Sequence, residues 1–391
     1  MTRRSFAITA ASAASAQRVF GANDRIRIGL IGAGGRGSYV TTVASRLEGT
    51  TIAAVNDVNP SQIDKARSTF AKDAESVKDF HQLLAKTDID AVMIGSPDHW
   101  HVPMVIAAVQ AGKDVYCEKP LTKTVEEGER VIKAVADSKR IVQVGYQQRS
   151  TPHYSVVKQL VAEGRLGTVN LAETYWYQDY VRAEWTRVVP PSDGIDWKAW
   201  QGNAPNMDFD KVRLSRWRWF WEYGGGHLTD LFSHWVDSVH WIMDDDRLQE
   251  TNATGSKMYF KHFDCPDTIS LTSRYKKGHF VTYQGSLLSG REDGGIVLRG
   301  SEGVLRLKRG GFEMYRNDQP DSAPPVMTMR PNREGTIDHV QNWLDCIKSR
   351  KQPNSTVATA VVSANAAHSG NRSYREGRRL NAADLEWTAR V

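Results

Sequence analysis

Cysteine is scarce in this chain, with only Cys117, Cys265 and Cys346 among 391 residues. They are too few and too far apart for a disulfide framework or a zinc motif. Long hydrophobic runs are absent too, and nothing approaches the 18 or so consecutive apolar residues that a membrane helix needs. Strong charge of one sign is missing as well. The formal net charge is +6, and the basic residues are scattered rather than clustered, which argues against a nucleic-acid surface. No internal repeat is visible. What remains, 40% hydrophobic and 25% charged residues, describes a globular protein whose length suits two domains.

The first 22 residues differ from the rest. Arg3-Arg4-Ser5-Phe6 precedes an Ala/Ser-rich, weakly apolar stretch from Ala7 to Ala16. Twin arginines before a mild hydrophobic region resemble a twin-arginine export signal, so residues 1–22 are expected to be a signal peptide directing the protein to the periplasm, the alternative being a cytoplasmic protein with a frayed amino terminus. Cleavage near Ala16 removes two arginines and no acid, which lowers the net charge to +4.

From residue 23 to about 150, short apolar runs alternate with helical patterns. Strands are predicted at 26–31, 51–55, 91–94, 115–117 and 141–144, and helices at 37–47, 62–71, 102–111 and 125–138. Strands alternating with helices imply a parallel sheet, because parallel neighbours need a long crossover. The expected fold class is therefore α/β, with an N-terminal doubly wound Rossmann sheet. From 151 to 391 the pattern changes to period-two strands at 168–177, 268–275, 280–286 and 303–307. These read as a large, mostly antiparallel open sheet. Helices are predicted at 153–163, 336–350 and 357–374, the last two packing back against the body. The stretches 190–194 and 317–325 read as loops.

The Rossmann half carries a glycine loop at the right place. Gly32-Ala33-Gly34-Gly35-Arg36-Gly37 follows the first strand and opens a helix. Gly32 allows the tight turn, Gly34 lets the backbone approach a pyrophosphate, and Gly37 permits close helix–strand packing. Gly35 and Arg36 belong to the same phosphate-binding turn, where the helix terminus offers unpaired N–H groups. Asp57, 25 residues beyond Gly32, follows the second strand. A carboxylate there bonds ribose hydroxyls and repels a 2′-phosphate, which favours NAD over NADP. Ser96-Pro97 and His101 follow the strand at 91–94 and are expected over the cofactor. Glu118-Lys119-Pro120 follows the strand at 115–117, where such sheets bind ligands.

Further on, Asp230 and His234 stand four residues apart and share one face of a predicted helix. Oxidising a secondary alcohol requires loss of its hydroxyl proton as hydride leaves carbon, and histidine titrates in the useful range. Lys119 and His234 are both candidates for that base, and Asp230 orients one of them or binds a neighbouring hydroxyl. His227, Asp230, His234 and Asp237 also fall near one face, a pattern compatible with a metal. A hydrogen-bonded polar site explains it better, so no metal is expected. Trp217, Trp219 and Trp221 alternate, and in an extended segment their indoles would share one face able to cover the apolar side of a ring-shaped substrate. Arg218, His227, Gln148 and Arg149 complete the expected substrate contacts.

In this order, the glycine loop, Ser96-Pro97 with His101, Glu118-Lys119-Pro120 and the 224–234 segment resemble the glucose–fructose oxidoreductase/inositol dehydrogenase (Gfo/Idh/MocA) family. The resemblance runs from about residue 25 onward. It implies hydride transfer between nicotinamide and a sugar or polyol carbon, with Lys119, Asp230 and His234 as catalytic residues and Glu118 and Lys119 beside the cofactor. It also implies an open C-terminal sheet that mediates a homo-oligomer, dimer or tetramer. An exported nicotinamide enzyme has no cofactor pool to exchange with, so a tightly held cofactor is expected. An NAD-dependent glycoside hydrolase, working by transient oxidation, elimination, water addition and re-reduction, is the alternative. A non-catalytic sugar- or cofactor-binding protein is a third reading, against which the joint presence of Lys119, Asp230 and His234 argues.

Overall fold

A computed structural model describes residues 25–182 and 194–389. The export segment and, except for Gly194, the 190–194 loop lie outside the described residues.

The first half runs β1 (Ile26–Ile31), α1 (Gly35–Ser45), β2 (Thr50–Asn56), α2 (Pro60–Thr69), β3 (Glu75–Val77), α3 (Phe80–Ala85), β4 (Ala91–Ile94), α4 (Asp98–Gln110), β5 (Asp114–Cys117), α5 (Glu127–Ser138) and β6 (Val142–Val144). The strands form one parallel sheet in the order β3-β2-β1-β4-β5-β6. Every residue of β4 and β5 is buried, as expected when helices cover both faces. The strand order reverses between β1 and β4, so the loops that follow them splay apart and leave a crevice at the carboxyl edge. β3 and α3, of three and six residues, are too short to stand out in the sequence.

After a 3₁₀ turn at Gln147–Ser150 come α6 (Pro152–Ala162), β7 (Val169–Tyr177), α7 (Trp197–Gln201), α8 (Lys211–Arg216), α9 (Ser233–Met243), β8 (Leu248–Ser256), β9 (Thr268–Tyr275), β10 (Phe280–Ser286), β11 (Gly294–Gly300), β12 (Gly303–Lys308), β13 (Gly311–Arg316), β14 (Met327–Met329), α10 (Gly335–Ser349), α11 (Val357–Glu376) and β15 (Leu380–Asn381). Nine strands make a second sheet in the order β14-β13-β12-β11-β7-β10-β9-β8-β15, antiparallel except where β7 pairs with β10. Its inner face packs on α6 and α9 through Tyr154, Trp176, Trp235 and Tyr283. The outward residues Thr272, Arg274, Phe280 and Gln284 are exposed.

The chain then returns to the first sheet. Val340, Trp343, Leu344 and Ile347 repeat at helical spacing on α10 and pack into the core under β1, β2 and β5. Trp343 is fully buried, edge-on to Tyr116 at 5.8 Å. Losing an indole of this kind costs about 3–5 kcal/mol. Arg350 caps the end of α10 and pairs with Asp114 at 2.6 Å, tying the helix to the start of β5. The Rossmann core is therefore completed by residues far along the chain.

Candidate active site

The turn after β1 begins at Gly32, whose φ of +84° and closeness to the Ser96 backbone exclude any side chain. A Cβ on Gly37 would lie 2.0 Å from the Gly32 carbonyl oxygen, so this glycine sets how tightly α1 seats on the sheet. Gly34 and Gly35 have open space above them, and α1 starts there without a side-chain cap. Its first N–H groups are left for an anion. Asp57 closes the turn from β2: Oδ2 accepts from Ala33 N at 2.7 Å and Oδ1 from Asn59 N at 2.8 Å. Burial raises its carboxyl to about 6 against those hydrogen bonds.

A cavity of ≈ 1580 Å³ runs from this loop to the second sheet. Gly32, Gly34, Gly35, Arg36 and Asp57 line one end. Ser96, Pro97 and His101 line its middle with Glu118 and Lys119. His101 lies deep in that wall, its ring nitrogens 2.7 Å from Pro120 O and 2.9 Å from Ser96 O. It thus braces the ends of β4 and β5 against each other, while burial lowers its pKa. Arg36 reaches across the crevice to Glu118 at 2.9 Å, linking the glycine loop to the Glu-Lys-Pro turn. The size, the open glycines and the uncapped helix fit a dinucleotide, with Asp57 placed for the adenosine ribose.

The catalytic candidates come together. Lys119 Nζ donates to the Asp230 carbonyl at 2.7 Å and to its Oδ1 at 2.8 Å, and Arg218 Nε donates to the same oxygen at 3.1 Å. Burial pushes the Asp230 carboxyl up, but the charges and hydrogen bonds of Lys119 and Arg218 outweigh it and hold it near 2. Asp230 sits in a π-helical turn, Leu228–Phe232, rather than in the α-helix expected from the sequence. The wider turn still brings Asp230 and His234 to the same cavity. Such turns recur at functional sites. His234 stacks on Trp176 at 5.7 Å, and its Nδ1 has no partner among the described residues. Burial, then the nearby positive charges of Lys119, Arg309 and Arg36, keep its imidazole neutral, well below its ordinary pKa.

Several expected substrate contacts are corrected. The 217–221 segment is not extended, because α8 runs into a 3₁₀ turn at Trp217–Trp219. Trp217 and Arg218 reach the cavity, whereas Trp219 is 2% exposed in an aromatic core with Phe263 and Tyr180. Trp221 instead packs under Arg375. His227 turns away from the cavity, near Tyr283 Oη at 3.2 Å and Asp267 O at 3.1 Å. Arg149 is buried against Asp237 at 2.9 Å, joining the turn after β6 to α9. Gln148 does line the cavity. With His227 and Asp237 so engaged, the four-residue metal pattern does not converge, and among the described residues no cluster of three His, Cys, Asp or Glu could hold a metal ion.

The sequence reading missed Asp98, Trp176 and Arg309. Asp98 is 3% exposed at the start of α4, and burial raises its carboxyl to about 8 despite the Arg218 charge. Its place in Ser96–His101 was the only available signal. Nothing local marks Trp176 or Arg309, which reach the cavity from β7 and the β12–β13 hairpin.

Known proteins share this plan. A family model for oxidoreductases with an NAD-binding Rossmann fold matches residues 26–146, and one for the GFO/IDH/MocA C-terminal domain matches residues 195–306. An inositol 2-dehydrogenase/D-chiro-inositol 3-dehydrogenase of Shouchella clausii is 27% identical over 325 residues, covering 81% of this chain and 78% of that one. An inositol 2-dehydrogenase of Burkholderia cenocepacia is 36% identical over 144 residues, 36% of this chain and 43% of its own length. Among solved structures, levoglucosan dehydrogenase in complex with NADH and levoglucosan aligns with a TM-score of 0.75 at 18% identity, covering 92% of this chain and 100% of that one. Scyllo-inositol dehydrogenase from Lactobacillus casei with NAD(H) and scyllo-inositol gives 0.70 at 20%, covering 92% and 100%. At these identities the two structures establish a likeness of fold. The matches to the two family domains, in the order and over the residues where the two sheets lie, cover more than half of the chain, and it belongs to the Gfo/Idh/MocA family of NAD-dependent oxidoreductases.

Proposed function

We propose that this protein oxidises or reduces a secondary hydroxyl carbon of a sugar or sugar derivative and holds its NAD tightly between turnovers. The observation that carries the chemistry is the Lys119–Asp230 pair beside a neutral His234 in one cavity with the glycine loop. Bound nicotinamide supplies the hydride acceptor or donor. His234, neutral and with a free acceptor nitrogen, takes the hydroxyl proton. Lys119, fixed as a donor by two oxygens of Asp230, hydrogen-bonds the oxygen as negative charge develops there. Arg218 holds Asp230 ionised, so Lys119 keeps its counter-charge through the cycle. The named activities of the inositol and levoglucosan dehydrogenases support a polyol or sugar as substrate.

Tight retention is supported by the segment from Gly194 to Asp210. Asp196 N donates to Val58 O at 3.0 Å, and Trp200 O accepts from Trp100 Nε1 at 2.8 Å. The segment thereby lies across the loop after β2 and the start of α4, and Asp196 and Trp200 line the Asp57 end of the cavity. A strap there hinders dinucleotide release. It favours a cycle that restores the cofactor: coupled oxidation of one sugar and reduction of another or, as a second reading, the glycosidase cycle. Residues 3–16 support export to the periplasm after the cofactor is loaded, and the open outer face of β9 and β10 supports a dimer or tetramer.

The test is to purify the protein, denature it and identify any nucleotide released. Stoichiometric NAD(H), together with turnover lost and nucleotide retained in K119A, is the expected outcome. An empty protein that releases one NADH per product would overturn the closed cycle. Unaltered turnover in K119A would sink the catalytic assignment.

A further inference from the structure

One wall of the cavity is unaccounted for by the reading above. Arg309, at the turn of the β12–β13 hairpin, lies with its guanidinium 4.7 Å from the ring centre of Trp176 and 5.7 Å from that of Trp235. Among the described residues it makes no hydrogen bond and no ion pair; Asp293 and Asp230 act on it only through space. The other cations near the reacting end have carboxylate partners: Lys119 and Arg218 share Asp230, and Arg36 is paired with Glu118. Arg309, exposed at the hairpin turn, therefore brings a solvated positive charge with no counter-ion to the mouth of the cavity.

The orphaned polar atoms beside it are buried. Gln148, Tyr154 and Trp176 line the same cavity and are 4%, 1% and 5% exposed. Gln148 Oε1, Tyr154 Oη and Trp176 Nε1 are all buried without a partner among the described residues, as is Gln178 Oε1 on the same lining. Buried polar atoms are nearly always hydrogen-bonded, and several orphans on one wall call for an explanation. An unpaired guanidinium, an indole N–H and a phenol are the donors that bind a carboxylate, with Arg engaging both oxygens at once. The same indole stacks on His234. A molecule whose acidic group meets Arg309 thus extends from there across Trp176 toward His234 and Lys119.

We infer that the substrate carries a carboxylate, as a uronic acid or uronide does, and that Arg309, with Tyr154 and Trp176, forms the subsite that holds it. The inference rests on the sugar-oxidoreductase reading and narrows it to acidic sugars. The remaining amide oxygens, on Gln148 and Gln178, accept from ring hydroxyls.

Calorimetry on the NADH-loaded protein tests this without needing turnover, using D-glucuronate and D-glucose as probes. A charge-assisted hydrogen bond to a guanidinium predicts that glucuronate binds about tenfold to a hundredfold more tightly than glucose. R309Q is expected to erase that preference while retaining NADH affinity, and R309K to restore part of it. Equal affinities in the unaltered protein, or no binding of glucuronate, overturn the inference even if R309Q does not fold. Loss of NADH binding in a folded R309Q places Arg309 on the cofactor phosphates and also overturns it. Failure of the dehydrogenase reading is distinct: glucuronate then binds, and no sugar of either kind exchanges hydride with the nicotinamide.

Discussion

Lys119 and Asp230 stand 111 residues apart in the chain, yet the Lys119 ammonium meets both the backbone carbonyl and the carboxylate of Asp230, at 2.7 and 2.8 Å. Each half of the molecule contributes one partner, so the proposed catalytic pair exists only when both sheets are in place. K119M removes the donor to the reacting oxygen and is expected to lower kcat by about 10²–10³-fold. NADH affinity, read by fluorescence, stays within a few-fold. D230N keeps the backbone contact to Lys119 and is expected to cost less. Equal losses in the two variants would contradict this ranking.

His234 is held neutral because its burial and three nearby cations disfavour the imidazolium. Its folded pKa therefore lies below 6.5, and the proposed base is ready throughout the neutral range. The expected kcat/KM for alcohol oxidation shows no limb from this group above pH 6.5 and falls only in more acidic buffer. H234A should lose about 10²–10⁴-fold in rate and any such acidic limb with it. A pH–rate profile with an acid limb centred above 6.5 that disappears in H234A would refute the neutral-base assignment.

Asp57 is bonded to Ala33 N and Asn59 N, so its carboxylate shapes the glycine loop as well as facing the adenosine end. D57S is expected to narrow the preference for NAD over NADP about tenfold, the value of one lost hydrogen bond plus relief of repulsion. Titration with both nucleotides measures it. An unchanged ratio would confine Asp57 to bracing the loop.

Gly37 leaves no space for a methyl group, since its Cβ would meet the Gly32 carbonyl at 2.0 Å and that oxygen belongs to rigid backbone. G37A is expected to destabilise the protein by about 1–3 kcal/mol and to weaken NAD binding, as the loop shifts to make room. Thermal melts with and without NAD separate the two effects. G34A meets open space and should leave the melting temperature of the free protein nearly unchanged.

Stability should fall in acid. Burial lowers the pKa of His227 to about 4, of His240 to about 3 and of His339 to about 4. The unfolded chain protonates these rings near 6.5 while the native state does not, so the stability present above that pH is lost as it drops toward the native values. Asp98 acts in the opposite sense, since a carboxyl raised to about 8 costs stability as pH rises from 3.8 toward 8. The three histidines outweigh it below 6.5. A fall in Tm of at least about 5 °C between pH 6.5 and 5 is expected. A flat profile would show that the rings are protonated in the native state.

The local physics of the first half was legible because it is written in short range. A glycine turn, apolar runs too short for helices, and a carboxylate after the second strand each follow from neighbours in sequence, and β1 and β4 fall where the pattern put them. The second half was less legible. Alternation located β7, β9, β10 and β12, but the glycine-rich β11 and the polar β8 carry weak patterns.

The sequence by itself determined the nucleotide loop and the Glu-Lys-Pro turn, because each depends on local backbone conformation, and it marked Asp230 and His234 by their spacing, though not the π-helical turn that holds Asp230. Only the tertiary structure decided which polar side chains face the cavity. Trp219, His227 and Arg149 match the composition of a sugar site, yet each turns inward, where an aromatic core, a phenol with a backbone carbonyl, and a buried carboxylate satisfy them. Trp176 and Arg309 carry no local signal and reach the cavity only because the second sheet presents one face to the crevice of the first. Side-chain direction at such positions is set by long-range packing, which a pattern confined to neighbours does not encode.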